Sequence, residues 1–350
     1  MPTHYDYIIV GAGPAGSTFA RIADKNKRIL LLNRNSTKSK PCGGLLAPDA
    51  QKALAMFDLT LPKDVLVDPQ IFSVRTIDLK TNQERRYQRM YINMNRDRFD
   101  KWLISLTGEN VTVRGGLCTS VSRRNDGFCV TWRDEHGQKH CNTCEKLIGA
   151  DGASSIVRRT FFKRFKTRRY TAIQQWFAID ENTSNPFYSC IFDADTSDCC
   201  SWSIFKDDCV IFGGAFSLKN CHDAFEAQKS KLKSIGLDLG SPIKTEACCV
   251  LRPKGFKSIC SGGDGVFLIG EAAGLISPSS LEGISSAINS AVKLEKCIES
   301  ERPNARYRRA ILPLAIKLLA KNLKCPFMYS PFLRRLVLAS GVGSISVERR

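Results

Sequence analysis

The segment KPCGGLLAP, Lys40 to Pro48, sets a thiol, Cys42, between a proline and two glycines. Proline fixes φ, and paired glycines give up side-chain packing where something must come close to the backbone, so a ligand is expected against this turn. A thiol held there can meet a reacting carbon or donate a proton as a general acid. An inert buried thiol lining a turn is the alternative. Two acids, Asp151 in IGADGASS and Glu271 in LIGEAAG, also stand in glycine-rich turns. His140, Cys141 and Cys144 in HCNTC make half of a zinc site or a CxxC redox pair, but no second CxxC completes it. His4, His136 and His222 have no ligand spacing, HCNTC reads as a hairpin strand, and no metal is expected.

The elements that position these residues begin at the N-terminus. YDYIIVGAGPAGSTFARIADKNKRILLLNRN is an apolar strand (Tyr5 to Val10), three glycines, a helix-compatible run and a second strand (Arg28 to Leu32). In that context GxGxxG signals dinucleotide binding. Gly11 allows the tight turn, Gly13 lets backbone approach a pyrophosphate, Gly16 lets the helix pack close, and the helix N-terminus faces the anion. The acid expected after the second strand is replaced by Asn33, a neutral group that can still hydrogen-bond a diol, and Arg34 follows it. At this point an NADP-type site stays open beside FAD. Further strand-to-turn units follow in KLIGADGASSIVRR and in GVFLIGEAAGLISPSSLEGISSAINSA.

Together these three segments resemble the FAD-binding set of glutathione-reductase-type flavoproteins of the aromatic-hydroxylase branch. The resemblance implies FAD, with Gly11, Gly13, Ala15 and Gly16 at the pyrophosphate and Asn33 and Arg34 near the ribose. It implies that Asp151 and Gly152 close over the cofactor, and that Gly270, Glu271 and Gly274 form the ribityl turn, Glu271 replacing an Asp. NMNRDRFDKWL resembles the Arg-x-x-Phe-Asp segment of these proteins, which puts Arg96 near the cofactor. A helix beginning after SPSSLEGI would aim the N–H groups of Gly283 and Ile284 at the flavin pyrimidine edge, where its dipole favours the anionic reduced flavin. No second complete GxGxxG unit exists, so NAD(P)H or another reductant would bind only in passing.

CCSWSIFKDDCVIFGGAF is similar to the aromatic-x-Trp-x-Phe-Pro-Lys-Gly-Asp segment of geranylgeranyl reductases, with Trp202, Phe205, Lys206 and Asp208 at or near the matching places. Cys200 holds the place of the first aromatic and the proline is absent. KPCGGLL resembles the Cys-Gly-Gly turn of the same reductases, where the thiol stands close to the flavin ring. The resemblance implies that Cys42, Gly43 and Gly44 lie at the cofactor, that Cys42 serves as an acid or substrate contact, and that Trp202 and Phe205 wall an apolar pocket. The chemistry implied is hydride transfer between flavin N5 and a carbon of an apolar, isoprenoid or other unsaturated substrate, in either direction. The alternatives are an FAD-dependent monooxygenase and a flavin-holding redox module without turnover.

Fifty-two Lys and Arg against thirty-four Asp and Glu give a net charge of +18, which favours acidic partners: a phosphate-bearing cofactor, a pyrophosphate, an anionic membrane face or nucleic acid. RRTFFKRFKTRR, Arg158 to Arg169, reads as a solvated basic helix whose Phe161, Phe162 and Phe165 pack on the core. An anionic lipid or pyrophosphate contact is the second reading, and nucleic acid is the least favoured. The C-terminal ARYRRAILPLAIKLLAKNLKCPFMYSPFLRRLVLASGVG reads as basic amphipathic helices that cap the core or lie on an anionic membrane. Fifteen scattered cysteines, with adjacent pairs at Cys199-Cys200 and Cys248-Cys249, point to a reducing cytoplasm. The expectation is a protein neither exported nor membrane-spanning, though possible at the inner membrane face. The expected architecture is α/β. A Rossmann-like FAD domain is assembled from 1–60, 90–165 and 255–300, an antiparallel β-sheet substrate domain from 61–89 and 166–254, and a helical segment from 301–350.

Overall fold

The computed structural model describes residues 3–34, 40–179 and 188–346. Its first sheet runs, from one edge, through Gly262–Gly263, Val266–Leu268, Lys139–Gly149, His4–Val10, Ile29–Asn33 and Val111–Gly115. From Val266–Leu268 to Val111–Gly115 every neighbour is parallel. A hairpin of Leu117–Arg124 and Gly127–Arg133 joins antiparallel to Lys139–Gly149. Strands covered on both faces read as unbroken apolar runs, and Ile8, Ile9 and Val10 are such a run. Ile9 packs with Phe19 of the helix Pro14–Ile22 and Ala291 of the helix Ile284–Ile298, while Ile8 and Val10 pack on the other face with Val130 and Trp132 of the hairpin.

The second sheet has the order Lys244–Arg252, Arg168–Ala178, Cys209–Ser217, Ser201–Lys206, Tyr188–Phe192, Ile71–Asp78, Gln83–Asn93 and Ser344–Ile345, with Leu45–Leu46 also paired to Gln83–Asn93. It is antiparallel apart from the pairing of Tyr188–Phe192 with Ile71–Asp78. One face carries the helix Cys221–Ser234, whose Phe225 and Leu232 meet Phe177, Phe212 and Phe216. This helix ends at Ser234, just ahead of Gly236.

The chain passes five times between the two sheets, the last time through the helices Pro303–Ala320, Cys325–Tyr329 and Pro331–Ser340 to the strand Ser344–Ile345. The α/β architecture read from the sequence, a Rossmann-like domain with an inserted antiparallel sheet and C-terminal helices, is the architecture observed, with one parallel pairing in the inserted sheet. The basic segment departs from expectation. Its helix, Ile156–Phe161, is short, Arg168 and Arg169 open a strand, and Arg158 is buried rather than solvated. Among the described residues no helix is long and apolar enough to cross a membrane.

Candidate functional site

The first glycine turn shows which of its residues serve packing and which leave room. At Gly11 φ is +105°, and a methyl group there would lie 2.5 Å from the Ala150 carbonyl oxygen, so this turn is pressed onto the next one. At Gly16 a methyl would collide with the Gly11 carbonyl. At Gly13 it would meet no atom within 4 Å, and the helix that starts there, Pro14–Ile22, has no side-chain cap. An open, uncapped N-terminus at the C-terminal end of a central parallel strand suits an anionic group. Ala15 is buried, and a methyl at Gly270 would stand 3.0 Å from its Cβ, which brings the first and third turns together. Asn33 ends its strand half-buried and Arg34 is exposed beside it.

The other two turns are joined by Arg158, one of the largest fully buried side chains. Its Nη1 donates to the carbonyls of Gly152, Glu271 and Ala272 and its Nη2 to that of Ala153, so the Asp151 turn and the Glu271 turn share one cation. Burial pushes the Arg158 guanidinium below its ordinary value. Asp151 accepts from the backbone N–H of Ile156 at 2.6 Å through Oδ2, while its buried Oδ1 has no hydrogen-bond partner. Burial raises the Asp151 carboxyl above its ordinary value. Glu271 receives Lys40 Nζ at 2.5 Å and the Leu251 N–H at 2.9 Å. Burial works against the Lys40 ammonium, yet the Glu271 carboxylate holds it above its ordinary value. A methyl at Gly152, where φ is +70°, would stand 4.0 Å from the Glu271 carboxylate. Beyond Gly274, the helix Ile284–Ile298 starts at Gly283, again without a side-chain cap.

Cys42 is half-buried, and its Sγ accepts from the Gly44 N–H at 3.4 Å. Burial would lower Arg96, but Asp100, 2.9 Å from its Nε, and Cys42 raise it. Cys248 donates to the Pro41 carbonyl at 3.7 Å. The two glycines of the turn have a use the sequence did not disclose. A side chain at Gly43 would lie 2.5 Å from Ile204 Cδ1, and one at Gly44, where φ is +63°, would strike Met94 and stand 2.6 Å from Lys206 Nζ. The space they leave on that side is filled by protein, not kept for a ligand.

Lys206 is buried and donates to the Gly44 carbonyl at 3.0 Å, Asn93 Oδ1 at 2.6 Å and the Met94 carbonyl at 2.7 Å. Burial pushes its pKa down to about 7, while those three oxygens match the three N–H groups of its charged form. Trp202 is on the same side, its Nε1 3.7 Å from where a Gly43 side chain would be and without a hydrogen-bond partner. Phe205 is not. Successive strand residues alternate faces, so Trp202, Ile204 and Lys206 look toward the Cys42 turn and Phe205 the opposite way, into the cluster with Phe177, Phe212 and Phe225. The expectation that Phe205 walls a pocket with Trp202 is thereby corrected.

Residues unmarked in the sequence complete the Trp202 face. Cys190 pairs across from Trp202 and donates to Tyr188 Oη at 3.1 Å; the Tyr188 and Tyr91 rings meet edge-on at 5.4 Å; Tyr91 Oη donates to Glu282 at 3.2 Å. Glu282 immediately precedes Gly283, so this group reaches the start of the Ile284–Ile298 helix. Its only signal in the sequence was strand alternation from Trp202 and the position next to Gly283.

This arrangement of two sheets and three turns is the fold shared by FAD-dependent oxidoreductases. A geranylgeranyl bacteriochlorophyll reductase-like protein from Thermoplasma acidophilum matches with a TM-score of 0.79 and 20% identity, over 96% of this chain and 91% of that one. PqsL, a "probable FAD-dependent monooxygenase" from Pseudomonas aeruginosa, gives 0.69 and 14%, over 97% and 100%. The myxobacterial chondrochloren halogenase CndH gives 0.66 and 18%, over 96% and 82%. No protein-family model matches the chain. The chain belongs to the CbrA family: Protein CbrA of Escherichia coli O6:H1 is 45% identical over 350 residues, spanning 98% of this chain and 95% of that protein.

Proposed function

We propose that this chain is an FAD-dependent oxidoreductase that moves a hydride between flavin and an apolar, unsaturated substrate, taking electrons from NAD(P)H or another reductant that binds in passing. The observation that carries the reading is the open space at Gly13, before an uncapped helix and against two further glycine turns. Gly11, Gly13, Ala15 and Gly16 would hold the pyrophosphate and Asn33 and Arg34 the adenosine ribose. Asp151, Gly152, Gly270, Glu271 and Gly274 would line the cofactor's middle, and Arg96, Gly283 and Ile284 its ring. The free Asp151 Oδ1 fits a hydroxyl-bearing group. When bound, FAD would supply two-electron chemistry as a hydride donor or acceptor.

The chain's own part is to shape the pocket and move a proton. The Gly44 N–H holds the Cys42 sulfur, Lys206 fixes the turn behind it, and Trp202 and Tyr91 offer apolar walls from the second sheet. Cys42 is the candidate proton donor to the substrate carbon. A monooxygenase is the second reading, favoured by the shared fold with PqsL.

The test is an anaerobic absorbance spectrum of protein reduced with dithionite, mixed with a prenyl diphosphate or a quinone-type alkene, then opened to oxygen. Flavin absorbance that returns with alkene before oxygen supports the reductase, and Cys42→Ser should slow that step. Return only with oxygen favours the monooxygenase. A purified protein that neither carries nor takes up flavin ends both readings.

A further inference from the structure

The C-terminal helices carry a surface that the proposed chemistry does not use. Of the eighteen large hydrophobic side chains that are exposed among the described residues, nine lie between Leu312 and Ile345. From Arg302 to Val347 the sequence has nine Lys and Arg and no Asp or Glu. Of these cations Arg334 is buried, paired with Asp78, and Lys317 and Lys321 stand near Asp49 at 3.5 and 3.8 Å.

The exposed apolar residues form a line. Pro303–Ala320, Lys321–Lys324 and Cys325–Tyr329 follow one another as one right-handed helical stretch, with Lys321 and Cys325 both in the αR region at the junctions. On it Leu312, Ile316, Leu323 and Phe327 are exposed, with Ala320 between them, so the steps are four, four, three and four residues, the spacing of a single helix face. The inward face is spoken for by Tyr307, Ile311, Ala315 and Leu318, all buried in the core. Leu323 is 76% exposed at the crest, and Arg309 and Lys324 flank the line as exposed cations. A soluble surface does not ordinarily collect large apolar side chains in one place.

We propose that this face docks on an anionic lipid surface, the apolar line entering the headgroup and acyl boundary and the flanking cations meeting lipid phosphates. Charge selects the occupant. A second copy of this chain would set +18 against +18 and face its own acid-free segment, whereas an anionic bilayer complements both the cations and the apolar line. Nucleic acid would complement the cations but leave the line in water. The proposal does not rest on the flavin reading.

The experiment is cosedimentation of the full chain with vesicles of phosphatidylethanolamine and phosphatidylglycerol, compared with vesicles of phosphatidylcholine, and size-exclusion chromatography with light scattering alongside. Wild type is expected to partition at least about tenfold more strongly onto the anionic vesicles. Ile316→Glu/Leu323→Glu/Phe327→Glu is expected to lose about tenfold or more of that binding, with its melting temperature retained because all three positions are exposed. Should the triple variant not fold, Leu323→Glu alone, at the most exposed site, should still lower binding severalfold. Equal binding to both vesicle types, or variants that bind like wild type, would overturn the proposal. So would a wild-type dimer that ignores vesicles and that the triple variant converts to monomer, because the face would then be a self-association surface.

Discussion

At Gly13 the backbone sits at φ −72°, which alanine adopts freely, and an added methyl meets no protein atom within 4 Å. Gly13→Ala is therefore expected to fold with a melting temperature within about 2 °C of wild type, yet to weaken FAD by more than about tenfold, since its methyl would occupy the space where we propose the pyrophosphate binds. Flavin fluorescence titration and a thermal melt of the same sample read both. Gly16→Ala should do the reverse and destabilise the fold outright, by about 2 kcal/mol or more, because its methyl collides with the Gly11 carbonyl. Equal losses of stability in the two variants would remove Gly13 from the cofactor site. A second residue sets the acid limit. Burial opposes it, but Lys146, Tyr7 and Lys27 hold the Glu299 carboxyl down to about 2 from its ordinary 4.5. A depressed carboxyl contributes stability that is full above the unfolded value and lost as pH falls from 4.5 toward 2. Its side chain is 45% exposed, so solvent screening leaves that contribution at about 1 kcal/mol. Glu299→Gln should lower stability by that amount at pH 7 and match wild type near pH 2, in urea melts across that range.

Helices and strands are coupled by buried pairs as much as by apolar contact. Arg334, on the helix Pro331–Ser340, donates from Nε to Asp78 at 2.8 Å, and both side chains are almost wholly buried. The strand Ile71–Asp78 is thereby tied to the C-terminal helix. Breaking such a pair from one side strands the other charge, so Arg334→Met should cost about 3–5 kcal/mol, and Arg334→Met/Asp78→Leu should recover most of it. Chemical denaturation of the three proteins checks this; full additivity would mean that the two charges do not depend on each other. The elements themselves were largely legible. Each glycine turn announced its strand and helix, and SPSSLEG placed the start of Ile284–Ile298. Site residues were legible only where local rules suffice. Trp202 and Phe205 are three apart in a strand, an odd spacing that puts them on opposite faces, and the motif resemblance hid that parity. Lys206 with Gly44, and Tyr91 with Glu282, meet across 162 and 191 residues, a distance no local pattern spans. Arg158 looked like surface charge because nothing in RRTFFKRFKTRR says that four carbonyls wait for it.

The two sheets are built from interleaved stretches of chain, so neither half is contiguous. The first sheet is incomplete until Val266–Leu268 joins Lys139–Gly149, and by then most of the second has been spelled out. Domains that share five crossings cannot readily come apart one at a time. Urea unfolding is expected to be a single transition, with near-ultraviolet circular dichroism, far-ultraviolet circular dichroism and fluorescence giving one midpoint. Separate midpoints would show that the sheets unfold independently. The same fold occurs in a reductase-like protein, a probable monooxygenase and a halogenase. A shared scaffold of this kind does not fix which chemistry its site performs.

Arg158 bridges the Asp151 and Glu271 turns from within the protein, through hydrogen bonds that need no ligand. The two turns that we propose line the cofactor are therefore fixed relative to each other before anything binds. Uptake of flavin by the empty protein should be a simple second-order encounter, its observed rate rising linearly with flavin concentration and showing no plateau from a slow rearrangement. With Arg158→Met the two turns would be free to separate, and a concentration-independent phase should appear.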